Sequence, residues 1–134
     1  MAKIETIEGI GPAYAAKLRA NGIRTVEGLL RAGLTPRGRQ ELAERTGISP
    51  TYILDWTNRA DLMRVRGIGE EYSDLLEKAG VDTVVELAQR NPDNLYDRLM
   101  EVNANQRLVR RPPTRQMVAR WVEEAKTLPR VVSY

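Results

Sequence analysis

Two glycine-bracketed bends hold the residues of this sequence best suited to chemistry, and that chemistry is anion binding. The first is Gly9-Ile10-Gly11, followed by Pro12, Ala13, Tyr14 and Lys17; the second is Gly67-Ile68-Gly69, followed by Glu70, Glu71 and Tyr72. Glycine tolerates positive φ and lets another group come close to the backbone. A short bend that opens a helix leaves the first N–H groups without intrahelical partners. Aided by the helix dipole, such groups suit a phosphate. In the first copy, amides near Gly11, Ala13 and Tyr14 would face the anion, with Lys17 beside them and Arg19 or Arg24 nearby. The alternative is a structural turn that only lets two helices cross closely. In the second copy Arg66 favours an anion, but Glu70 and Glu71 sit in the first turn and satisfy the dipole themselves. Asp74 and Glu77 add negative charge, so Gly67, Ile68 and Gly69 are expected to be structural or partner-binding.

Two further stretches are basic. The turn at 33–36 is flanked by Arg31, Arg37 and Arg39, and residues 102–122 hold Arg107, Arg110, Arg111, Arg115 and Arg120 with no acidic residue. Arginine suits bidentate phosphate contacts and equally suits protein ion pairs, so each stretch reads either as a nucleic-acid contact or as a solvated surface. The candidate nucleic-acid contacts are Gly9, Ile10, Gly11, Ala13, Tyr14, Lys17, Arg37, Arg39, Arg110 and Arg111. Tyr14, Tyr72, Trp56 and Trp121 fall on apolar faces, where core packing explains them better than base stacking. Tyr52 and Tyr96 stay open between those roles.

The 134 residues include neither cysteine nor histidine. Disulfides and thiolate chemistry are excluded, and the commonest zinc ligand and general base are missing. The acidic residues form no metal-ligand pattern, and no Walker loop or nucleophile elbow occurs. No catalytic residue, metal or cofactor is expected, and an enzyme is the least favoured class. No apolar stretch spans a bilayer and the N-terminus does not read as a signal peptide, so the expected compartment is the cytoplasm. The formal charge is +3. All of the excess lies in residues 1–64, while residues 65–134 are balanced.

The two bends belong to an internal duplication. At a spacing of 58 residues, Gly9, Gly11, Tyr14, Leu18, Gly22, Thr25, Val26 and Leu29 match Gly67, Gly69, Tyr72, Leu76, Gly80, Thr83, Val84 and Leu87. The pattern predicts helices over 12–21, 25–32, 36–46, 50–63, 70–79, 83–90, 92–102 and 114–127, punctuated by Thr/Ser/Asn caps and helix-starting prolines. Residues 103–113 read as a loop longer than its counterpart, and 128–134 as a tail. Because the bend at Gly9 has almost no helix before it, the final helix is expected to pack near the N-terminus and supply that partner. Trp121 aligns with Trp56 once the longer loop is allowed for.

Gly9-Ile10-Gly11-Pro12-Ala13-Tyr14-Ala15 resembles the helix-hairpin-helix pattern Gly-apolar-Gly-x-x-x-Ala, with Ser73 replacing the last Ala in the second copy. Thr46-Gly47-Ile48-Ser49, Leu54-Asp55-Trp56-Thr57, Ala60-Asp61-Leu62-Met63, Ala79-Gly80-Val81-Asp82-Thr83-Val84 and Arg90-Asn91-Pro92 narrow the resemblance. Together they look like a bacterial family of tandem helix-hairpin-helix proteins catalogued only as a domain of unknown function. The resemblance implies an all-α fold of two tandem helix-hairpin-helix repeats, a SAM-like helical bundle, over 1–64 and 65–134. The repeats would share a core in one compact unit with an approximate two-fold relation. For function it implies sequence-independent binding of the DNA backbone, with duplex DNA as partner. The alternative is a protein-interaction or self-associating adaptor module. Neither membrane nor small-molecule substrate is expected.

Overall fold

A computed structural model describes residues 2–134. The described residues form a single 3-10 turn, Ile4–Thr6, and the α-helices α1 (Pro12–Ala20), α2 (Val26–Ala32), α3 (Pro36–Thr46), α4 (Pro50–Leu62), α5 (Glu70–Lys78), α6 (Val84–Gln89), α7 (Pro92–Gln106) and α8 (Arg115–Thr127). The fold is all-α. The helices start where short polar side chains can cap them: Thr25 accepts from Gly28 N–H, Thr35 from Gly38, Asn91 from Asn94 and Thr114 from Met117. Each cap satisfies a donor that the helix itself leaves unpaired. At α6, the Glu86 carboxylate reaches back to accept from both Thr83 N–H and Thr83 Oγ1, at 3.0 and 2.8 Å.

The chain divides into two units, Met1–Asp61 with Val131–Tyr134, and Leu62–Arg130. In the first unit, Ile4, Ile7, Leu18, Leu29, Leu42 and Ile53 are fully buried. The N-terminal segment is tied down by Ile4 N–H to Arg24 O and Val26 N–H to Ala2 O. In the second unit, Leu75, Leu76, Val81, Leu87, Leu95, Leu99, Val118, Trp121 and Val122 form the centre of one cluster, and α8 packs on α6 and α7. Every member of that cluster lies within the second unit. Burying each of the large side chains contributes about 1.5–3 kcal/mol.

Two expectations are corrected. The final helix belongs to the second unit: Trp121 lies beside Tyr72, ring centroids 5.1 Å apart, and a methyl placed on Gly67 would sit 3.4 Å from its Nε1. The partner of the first bend is α4, downstream of it. Trp56 sits 5.1 Å from Tyr14, and a methyl on Gly9 would come within 3.1 Å of Trp56 Nε1. Each repeat thus opens with its glycine bend and closes with a tryptophan helix that returns to that bend. Ser49, Ile53, Trp56 and Ala60 correspond to Thr114, Val118, Trp121 and Ala125 at a spacing of 65, which places a seven-residue insertion before α8. Second, α7 runs on to Gln106, because only at Arg107, with φ 51, does the backbone turn left-handed. Of the tail, whose last four residues belong to the first unit, Ser133 N–H donates to Leu34 O at 2.8 Å and Val132 is buried.

Candidate functional site

At the first bend, Gly9 adopts φ +98, a conformation that side-chain-bearing residues rarely take. Ile10, buried, seats the bend in the core and donates its N–H to Ile7 O at 3.1 Å. Gly11 is the N-cap of α1, extended at φ −83 and ψ −175, and no side chain caps the helix. Pro12 has no N–H to satisfy, so Ala13 and Tyr14 carry the first-turn amides. Pro12, Ala13 and Lys17 are exposed. A methyl on Gly11 would meet nothing within 4 Å, so neither backbone conformation nor internal packing calls for glycine there. What the missing side chain does is leave the mouth of the helix open.

The charge around this bend is mixed. Arg19 pairs with Glu5, and that guanidinium hydrogen bond holds the Glu5 carboxyl below the usual carboxylate range. Glu8 is exposed just before the bend. Lys17 is exposed one turn into α1, and its carbonyl accepts from Asn21 Nδ2. Tyr14, half-buried, is flanked by Trp56 and by Tyr52, whose ring centroid lies 5.9 Å away.

The second bend repeats the backbone and changes its surroundings. Gly67 has φ +87, and Ile68 N–H donates to Val65 O at 3.2 Å. Here carboxylates take up the amides nearby. Glu124 Oε2 accepts from Arg66 N–H at 3.1 Å, and Glu71 Oε1 accepts from Arg110 N–H at 3.1 Å. Tyr72 Oη donates to Arg111 O at 2.8 Å. The inserted loop is thereby bonded to the bend's own helix. A hollow of about 630 Å³ is left between Gly67 and Gly69, the acidic turn Glu70-Glu71, and Arg110 and Arg111. Arg110 and Arg111, candidate nucleic-acid contacts on the basic loop, lie beside the second bend, whose acidic turn holds that loop.

The other expected contacts are engaged elsewhere. Arg39 is buried, donating from one terminal nitrogen to Gly33 O and from the other to Ser133 O, both at 2.8 Å. Burial pushes its guanidinium pKa down, while the nearby Tyr134 acts in the opposite sense. It is a core tie and is removed from the candidate contacts. Arg37 is well exposed and pairs with Glu41 at 3.1 Å. The α3 N-terminus already has its cap in Thr35, and Gly33 in the turn before it is buried. Arg115 pairs with Asp93 at 2.9 Å and lies 4.4 Å over the Tyr96 ring. Both α1 and α5 thus begin at a glycine N-cap without a side-chain cap; what sets the first bend apart is the exposed Lys17 beside it and the absence of a carboxylate from its first turn, where the second has Glu70 and Glu71.

No sequence signal marked the tail's return to Arg39, because a four-residue segment carries too little periodicity to place. Glu124 had a signal in principle: it occupies the repeat position of Arg59, and Arg66 that of Glu8, so the charges are exchanged between copies. No curated protein and no solved structure matches the chain. Residues 8–128 match the family model described as a domain of unknown function, DUF4332, and with nearly the whole chain covered the protein belongs to that family.

Proposed function

We propose that this protein is a non-enzymatic, sequence-independent nucleic-acid-binding module built as two tandem helix-hairpin-helix repeats, which grips the DNA backbone through the bend at Gly9 and Gly11. The observation that carries the reading is the uncapped mouth of α1: Gly11 offers no side chain, its absence is not demanded by packing, and Ala13 and Lys17 are exposed beside it. Backbone amides at a helix N-terminus bind phosphate without reading sequence. The helix-hairpin-helix part of the reading is supported by the duplicated positive-φ glycine and by the tryptophan that closes on it in both units.

Random-sequence duplex at low and moderate salt is the test. Binding is expected at low salt and should weaken as salt rises, and Lys17→Glu should weaken it further. Absence of low-salt binding sinks the proposal.

A second reading, an adaptor that binds protein, draws on the second unit, whose hollow is lined by both signs of charge. Sedimentation decides it: concentration-dependent association supports an adaptor, and a clean monomer that binds duplex counts against it.

A further inference from the structure

We infer that Tyr52 is a base-stacking platform beside the first bend, so that the preferred ligand is single-stranded nucleic acid; the inference rests on the nucleic-acid reading above and narrows it. Tyr52 and Tyr134 are the large hydrophobic side chains left exposed among the described residues, at 49% and 60%. Tyr134 is engaged, its hydroxyl bonded to Asn58 and its ring near Arg39. The outer face of Tyr52 is not accounted for by the fold. Its ring is held from behind: it stacks on Trp56 with centroids 6.1 Å apart and planes 26° from parallel, and it meets Tyr14 edge-on at 5.9 Å. Trp56 in turn is seated against Gly9. A ring fixed in this way loses little conformational freedom when something stacks on it.

The repeat supplies a comparison within the same chain. The position equivalent to Tyr52 is Met117, half-buried, so the helix does not require an aromatic there. The aromatic occurs only in the copy whose first helical turn carries no carboxylate, and Tyr14 links the two: its ring touches Tyr52 while its N–H belongs to the first turn of α1. A duplex keeps its base faces in its own stack and presents phosphates alone. An unpaired strand can present a phosphate to the amides and a base face to Tyr52, the combination of backbone contact and aromatic stacking that single-strand binders use.

The experiment measures affinity for an oligothymidine and for a hairpin duplex with the same number of phosphates, at one low salt concentration, with the wild type, Tyr52→Ala and Tyr52→Trp. The wild type is expected to favour the oligothymidine. Tyr52→Ala should weaken that binding roughly tenfold, the size of one lost stacking contact, leave duplex binding unchanged, and stay folded with a cooperative helical melt lowered only by the loss of its ring contacts with Trp56 and Tyr14; Tyr52→Trp should retain single-strand binding. Binding of both ligands that is indifferent to Tyr52→Ala, or an equal loss on both, overturns the inference and leaves the backbone reading standing. Binding of neither ligand by the wild type overturns that reading and the inference with it. Loss of self-association in Tyr52→Ala, with single-strand affinity intact, overturns the inference by assigning the ring to a protein contact.

Discussion

The two glycines of the first bend do different work, although the sequence presents them as one motif. Gly9 is needed by the fold: at φ +98, with Trp56 Nε1 3.1 Å from where a methyl would stand, Gly9→Ala should destabilise the protein by about 1–2 kcal/mol. Gly11 is not needed by the fold. Gly11→Ser should leave stability unchanged or raise it by a few tenths of a kcal/mol, because the hydroxyl can cap the amides of α1. The same hydroxyl should compete with a phosphate, so duplex affinity should fall while thermal stability does not. Undiminished affinity in Gly11→Ser would remove the helix mouth from the interface. Arg39 makes the opposite case. Arg39→Met strands two carbonyls that a charged donor now satisfies, and a loss of about 2 kcal/mol or more is expected in denaturant unfolding. The affinity of the folded fraction should not change.

At the scale of elements, the repeats diverge by one insertion and its anchorage. The extra residues before α8 are shared between α7, 15 residues long against 11 in α3, and a longer loop that begins at left-handed Arg107, bonds through Val109 N–H to Asn103 Oδ1, and is fastened to α5 by Glu71 and Tyr72. The acidic first turn of α5 thus has an internal use: it accepts from the loop's backbone. Glu71→Ala combined with Tyr72→Phe should free the loop. Hydrogen exchange at Arg110 N–H should then quicken, while exchange within α6 stays slow because its Thr83–Glu86 capping box is untouched. Unchanged exchange at Arg110 would show that the loop is held by something else. Helix starts were legible in the sequence because caps and prolines act locally. The end of α7 was not, because Asn103 and Asn105 are residues that commonly end a helix, yet the backbone stays helical until it turns left-handed at Arg107.

For the whole molecule, a formal charge of +3 is a weak electrostatic pull, and several arginines that could have strengthened it are committed inside the protein. Arg39 is buried, Arg115 is paired with Asp93, and Arg19 with Glu5. If one bend is the contact, few phosphates are neutralised. The logarithm of the binding constant should then fall against the logarithm of salt with a slope of about −2, since each phosphate contributes roughly −0.9 on duplex DNA. A slope several times steeper would show that the arginines of the second unit take part as well. Among the described residues no helix is long and apolar enough to cross a membrane.

What the sequence determined by itself was the local and the periodic: an all-α chain, a duplication at 58 residues, the side-chain caps that start α2, α3, α6, α7 and α8, and a glycine bend in each copy. These follow from contacts a few residues long, which residue type and spacing encode directly. Tertiary structure alone decided which helix closes on which bend, where the basic loop settles, and that Arg39 faces inward. Those outcomes depend on which distant surfaces bury the most apolar area and satisfy each other's hydrogen bonds, and two repeats that share their bend and cap signals leave more than one such pairing open to a local reading.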